Sequence, residues 1–220
     1  MDAITAKKQI VKYAKILDKK GLVNSLEGNI SILDRENGYM YITPTATRKG
    51  TLTENCVAVL KVSDKETWEQ VDGDIKRSSE YLLHKAALEA APDAMACVHT
   101  HAPFISAYAY ANQDIDLKCS TTLAGFHEGK IPCIPYGEPG TPEIAAGLKE
   151  HLQAGKSMVL LGNHGMVCVG KDMEAACALL EATEAALEVV YYARQLGLSD
   201  IPEEKFNHFI ERLRKDKGKK

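Results

Sequence analysis

Apolar residues recur at helical spacing over positions 4–20, where Ile10, Ala14 and Leu17 share a face before Gly21 stops the run. The pattern then changes to strands. "GNISIL" and "YMYITP" flank the turn "ENG" at 36–38 and predict a hairpin, and the β-branched run "VAVLKV" (57–62) predicts a buried strand. "KETWEQVDGDIKR" reads as a polar connection around the Asp72-Gly73 turn. "SSEYLLHKAALEAA" (78–91) predicts a helix that starts on hydroxyls and stops before Pro92.

Farther along, "MACVHTH" predicts a strand and "PFISAYAYA" a helix led by proline. The prolines of "IPCIPY" (131–136) predict a short strand at an edge or an end. "TPEIAAGLKEHL" predicts a helix capped by Thr141, with Pro142 just inside. "SMVLLGNHGMVCVG" (157–170) predicts two apolar strands around the turn "GNHG". The longest periodic stretch, 172–196, aligns Ala176, Leu179, Thr183, Ala186, Leu187 and Val190 on one side of a helix. A C-terminal helix is expected from 203, ending in the basic tail "ERLRKDKGKK", which reads as solvated and frayed. No repeat, linker or composition break interrupts the chain, so one α/β domain over 1–220 is expected, with its core at about 6–196.

Composition narrows the functional classes. The 220 residues are 45% hydrophobic and 26% charged with a formal net charge of -3, a globular balance without the dominant basic surface that nucleic acid requires. No apolar run reaches the ~20 residues that span a bilayer. The opening stretch is lysine-rich without the apolar core of an export signal, so a cytoplasmic protein is expected. The 6 cysteines form no C-x-x-C pair and read as reduced thiols.

The candidate chemistry lies in short polar motifs at strand ends. His99 and His101 are two apart on a strand, hence on one face and about 6.6 Å apart at the Cα atoms. They are either ligands to one ion or polar residues closing a strand. His164 in "GNHG" is either a third nitrogen donor or an exposed turn residue. With His99 and His101 it makes a donor set suited to zinc. Glu80 in "SSE" is either a mobile carboxylate ligand or a first-turn acid favourable to the helix dipole. Ser78 and Ser79 are either caps or an anion cradle. His84, one turn after Glu80, reads as structural support. "LEGNIS" and "ITPTATRKG" are turns or anion-binding loops beside the same site. His127, in the glycine-rich "AGFHEGK", reads as a loop residue near the site, and His151 and His208 as surface residues.

In order, "EGNIS", "ITPT", "SSE", "HTH" and "NHG" resemble the class II aldolase/adducin family, and within it the fuculose-phosphate enzymes, over about 6–196. The resemblance implies a single three-layer α/β/α domain with a mixed, largely antiparallel sheet. It implies a homotetramer with active sites at subunit interfaces and one zinc per subunit on Glu80, His99, His101 and His164. A sugar phosphate would rest on Gly28, Asn29, Thr45, Ala46, Ser78 and Ser79. The implied activity is reversible cleavage of a ketose 1-phosphate, of the fuculose or deoxyketose type, to dihydroxyacetone phosphate and an aldehyde, with Glu80 moving the proton. Ribulose-phosphate 4-epimerization and a non-catalytic adducin-like module are the alternatives. The chain departs from the family in three places. Ala46 stands where the family has glycine, which implies a differently shaped phosphate loop. Thr121 in "KCSTTLAG" stands near the usual proton-donating tyrosine, and no tyrosine follows Tyr192, leaving Phe206 and Phe209 to close the site.

Overall fold

The computed structural model describes residues 1–127 and 130–217. Residues 128–129 of the expected glycine-rich loop and 218–220 of the expected tail lie outside the described residues. Asp2 opens α1 (Ala3–Lys19) by accepting from Thr5 N at 2.8 Å, and Ala6, Ile10, Ala14 and Leu17 are its buried face. The expected hairpin is β1 (Asn29–Asp34) and β2 (Tyr39–Ile42), followed by β3 (Ala58–Lys61). Residues read as a polar connection instead form β4 (Glu69–Asp72), an edge strand paired with β3. Val71 is its single aliphatic residue and is exposed, so alternation gave no signal; ladder pairing made the strand.

Next come α2 (Tyr81–Ala90), β5 (Ala96–Thr100) and α3 (Pro103–Tyr110), the last with proline in its first turn as expected. The stretch after α3 holds β6 (Ile115–Asp116), α4 (Thr121–His127) and β7 (Lys130–Ile131), with β6 and β7 forming a two-stranded ladder. His127 thus ends a helix instead of lying in a loop. β8 (Cys133–Ile134), flanked by Pro132 and Pro135, is at the sheet edge, one of the two placements expected. The helix expected from Thr141 is divided at Gly147, whose φ of 87° separates a short 3-10 turn from α5 (Leu148–Gln153). β9 (Met158–Leu161), β10 (Gly165–Gly170) and α6 (Met173–Gln195) match the expected pattern, and Asp172 caps α6 by accepting from Ala175 N at 2.7 Å. α7 (Glu203–Lys217) carries helix well into the stretch read as frayed. Phe206 and Ile210, one turn apart, are buried against Ala124 of α4. Phe206 therefore anchors its own helix, with Phe209 packed against the same cluster.

The main sheet runs β4-β3-β2-β1-β5-β10-β9-β8, antiparallel except for the parallel β8–β9 pair. Alternation sorts its side chains. Ala96, Val98, Leu160, Met166 and Cys168 pack with α1, α3 and α6. Cys97, Val159, Leu161, Val167 and Val169 pack with α2 and α5. The result is a three-layer α/β/α domain. Both faces of β5 are buried, so a one-residue slip would exchange its two side-chain sets between layers. That constraint holds Asn29 opposite His99 on one side and Val167 opposite it on the other.

Candidate metal centre

β5 carries His99 on the α2 side of the sheet, and His101 follows two positions later on the same face. The turn between β9 and β10 brings His164 over them. Asn163 takes a left-handed φ of 55° there, and its N–H donates to Ala109 O at 2.9 Å, tying the turn to α3. Gly165 is required at the next position but one, because a Cβ there would lie 2.7 Å from Thr100 O and 3.2 Å from His101 Cδ2. The three imidazoles converge, with ring centroids 4.6–4.9 Å apart. One nitrogen of each lies within 4.8 Å of the others. His99 Nε2 and His101 Nε2 are 3.1 Å apart.

Glu80 completes the cluster, but from the N-cap position of α2 instead of the first turn. Its carboxylate makes no cap hydrogen bond to its own helix. Oε1 accepts from His164 Nε2 at 2.8 Å, Oε2 accepts from Asn29 Nδ2 at 2.8 Å, and Oε2 lies 3.3 Å from His99 Nε2. The dipole reading of Glu80 is therefore replaced by a cross-sheet role. Burial by itself raises its pKa; the His99 ring and the hydrogen bonds from His164 and Asn29 outweigh burial and hold it well below the usual carboxylate range.

A relay of hydrogen bonds fixes this geometry. Asn29 donates its amide to Glu80, so its Oδ1 is the acceptor facing His84 Nε2. His84 Nδ1 is then the acceptor for the Ser31 hydroxyl at 2.7 Å. His84 is fully buried, and burial pushes its pKa down to about 3, so the ring is neutral and has one donor and one acceptor to offer. His99 is likewise fully buried, which pushes it down to about 4. Its Nδ1–H donates to Met166 O at 2.8 Å, leaving Nε2 as a lone pair pointed at the cluster. Burial also lowers the pKa of His101. The donors thus suit a divalent cation of the zinc type: imidazole nitrogens close enough to share one ion, beside one ionised carboxylate.

The loops read as anion-binding gather beside this cluster. Thr43 joins them: its Oγ1 accepts from Ile30 N at 3.1 Å, and its carbonyl accepts from Ser78 N at 3.2 Å. A Pro44–Arg77 bridge extends the contact. Thr45 N–H donates to Lys76 O at 2.9 Å, and Ser78 Oγ accepts from Glu80 N at 3.2 Å, so Ser78 acts as the local cap. Ser79 is exposed. Ala46, expected to reshape its loop, instead adopts a left-handed φ of 47°, the conformation a glycine would supply.

Three contributors escaped the sequence reading. Lys49 is only 3% exposed although it stands in a polar stretch, and burial lowers its pKa against the opposing charges of Glu80, Asp18 and Glu27. Glu184 of α6 accepts from Phe104 N and Ile105 N, both at 2.9 Å, and so caps α3 just after His101. Glu27 faces His101. Glu184 lies on the periodic buried face of α6, where a charged side chain is the exception; Lys49 and Glu27 carry no periodic signal, and all three depend on neighbours distant in the chain. His127, by contrast, is away from the cluster, with Nε2 2.7 Å from Thr183 Oγ1.

The family described as Class II Aldolase and Adducin N-terminal domain matches residues 8–191. The 5-deoxy-D-ribulose 1-phosphate aldolase of Bacillus thuringiensis serovar kurstaki is 28% identical over 208 residues, 94% of each chain. The 5-methylthioribulose-1-phosphate/5-deoxyribulose-1-phosphate aldolase of Escherichia coli is 32% identical over 204 residues, covering 92% of this chain and 90% of that one. A solved L-fuculose 1-phosphate aldolase shares the fold with a TM-score of 0.82 at 23% identity over 96% of both chains.

Proposed function

This chain belongs to the class II aldolase and adducin family, and from that premise we propose that it is a zinc-dependent aldolase. Its substrate is a ketose 1-phosphate of the deoxyketose type, cleaved reversibly to dihydroxyacetone phosphate and a short aldehyde. The observation that carries this reading is the convergence of the buried His99 with the partly buried His101, His164 and Glu80 in one cradle. The deoxyketose assignment is supported by two relatives named for 5-deoxyribulose 1-phosphate, which match 94% and 92% of the chain.

His99, His101, His164 and Glu80 would hold the ion. When bound, zinc supplies Lewis-acid polarisation of the substrate carbonyl and stabilises the charge released by carbon–carbon cleavage. Met166 O and Asn29 keep the His99 ring and the Glu80 carboxylate oriented before substrate arrives. Cleavage releases the proton of the hydroxyl whose carbon becomes the aldehyde. Glu80, ionised beforehand, would take up a proton and pass it to the carbon freed on the dihydroxyacetone phosphate half, and would run the same transfer backwards in the synthetic direction. The substrate phosphate rests on Gly28, Asn29, Thr45, Ala46, Ser78 and Ser79. Since the backbone N–H groups of Thr45 and Ser78 are already engaged, the Thr45 hydroxyl, the Ala46 N–H and Ser79 carry that contact.

The active form is a homotetramer. Val189, Tyr191, Tyr192 and Leu196 on and just beyond α6 are 66%, 55%, 57% and 88% exposed, an apolar group that a second copy would cover. Light scattering of the wild type and of Tyr192→Asp tests this; a smaller particle in the variant is expected.

The function is tested by incubating zinc-loaded protein with 5-deoxyribulose 1-phosphate, L-fuculose 1-phosphate and ribulose 5-phosphate. Release of dihydroxyacetone phosphate, fastest from the deoxyketose, is expected. Xylulose 5-phosphate formed without fragmentation would make the protein an epimerase. Absence of stoichiometric metal, with the same content in a His99→Ala, His101→Ala variant, would leave it a binding module.

A further inference from the structure

The two histidines of "HTH" are supported differently on their far sides. His99 Nδ1 is held by Met166 O at 2.8 Å. His101 Nδ1 is buried without a hydrogen bond among the described residues, and the carboxylate facing it is Glu27, whose Oε1 is 3.5 Å away. That separation is within ion-pair distance and a few tenths of an ångström beyond a hydrogen bond.

Glu27 is held in place. Asn24 Oδ1 accepts from Leu26 N and Glu27 N, both at 2.9 Å, and Asn24 Nδ2 donates to Glu27 Oε2. Asn24 N–H also donates to the Glu27 carbonyl at 3.2 Å, closing the turn. Both ends of the turn are fastened to the strand that carries the histidines. On one side Thr100 Oγ1 donates to Leu22 O. On the other, Gly28 has a φ of 83° and approaches so closely that a Cβ would lie 3.3 Å from His99 O. Glu27 is therefore fixed relative to His99 and His101 by contacts its own side chain does not make.

We infer that Glu27 is the positioning carboxylate of His101: it takes the Nδ1 proton in a hydrogen bond, sets the ring's tautomer and aims Nε2 at the ion. Metal-bound histidines generally need such a partner, and its loss commonly weakens metal binding 10- to 100-fold. The inference rests on the metal-dependent reading above. It gives the residue before the Gly28–Asn29 turn a role separate from substrate phosphate.

The test uses the full-length protein stripped of metal. Affinity is measured by titrating zinc against a chromophoric chelator, and ligand geometry by the visible absorption bands of the cobalt-substituted form. Circular dichroism confirms folding of each variant. Glu27→Ala is expected to bind zinc about 10- to 100-fold more weakly and to shift the cobalt bands. Glu27→Gln, which keeps an acceptor oxygen, is expected to recover most of the affinity and the wild-type spectrum. If Glu27→Ala does not fold, Glu27→Asp, which withdraws the carboxylate, is expected to bind more weakly than Glu27→Gln. Folded Glu27→Ala with wild-type affinity and spectrum would overturn the inference, as would equal affinities for Glu27→Asp and Glu27→Gln. A fall in kcat with affinity and bands unchanged would also overturn it, because the carboxylate would then be acting on substrate. A wild-type protein that binds no metal would overturn the metal-dependent reading beneath it, an outcome distinct from all of these.

Discussion

The two halves of the candidate site are built in opposite ways. In the metal cradle, His99 is wholly buried and each interacting group restrains the next, from Ser31 through His84 and Asn29 to Glu80 and His164. In the proposed phosphate loops, Gly28, Asn29 and Ser78 are buried, but Ala46 and Ser79 are exposed and Thr45 is only partly buried. The difference shows where function is preorganised and where it is left to substrate. Buried groups in low dielectric must satisfy one another, which rigidifies them. Exposed hydroxyls are satisfied by water and can exchange it for a ligand.

The largest expected effect breaks the cradle side. Glu80→Gln keeps the size of the side chain and removes its charge, so kcat should fall about 10²–10⁴-fold with the circular dichroism spectrum unchanged. A loss under fivefold in dihydroxyacetone phosphate release would show that Glu80 is not the proton carrier. Next in size is metal removal. Binding at 100 times Kd stabilises the native state by about 2.7 kcal/mol, so chelation should lower Tm by roughly 5–10 °C. Scanning calorimetry with and without chelator reads this directly.

The phosphate side should respond more weakly and in a different parameter. Ser79→Ala removes one hydrogen bond of about 1–1.5 kcal/mol, raising KM about 5- to 10-fold with kcat nearly constant. A fall in kcat instead would place Ser79 with the chemistry and blur the contrast between the halves. The smallest effect is expected at Ala46. A left-handed alanine is strained by about 1–2 kcal/mol, while glycine loses about 0.5–1 kcal/mol more backbone entropy on folding. Ala46→Gly should therefore stabilise the protein by about 0.5–1 kcal/mol in urea unfolding. Destabilisation would mean that the loop is not strained in solution.

The same contrast explains what was legible in the chain. α1 and α6 were readable because their buried faces repeat near 3.6 residues, and the hairpin and the strands around "GNHG" because short apolar runs flank turn residues. β4 was not, since its ladder to β3 depends on backbone hydrogen bonds that side-chain pattern does not record. α7 was expected from 203, but its reach into the tail read as frayed was not, because Phe206, Phe209, Ile210 and Leu213 are interspersed among charges and matter only against α4. Glu80 was singled out by motif, yet its orientation away from its own helix depended on Asn29 and His164, 51 and 84 positions away.

The sequence by itself determined the α/β class, the order of the polar motifs and the donor types gathered at strand ends. Those follow from periodicity and residue chemistry, which are local. Only the tertiary structure decided which donors face one another, that Ser78 caps while Ser79 is exposed, that Ala46 accepts glycine's conformation, and that Glu27 lies behind His101. Each of these depends on register and on the close approach of distant segments, and a pattern along one chain does not record either.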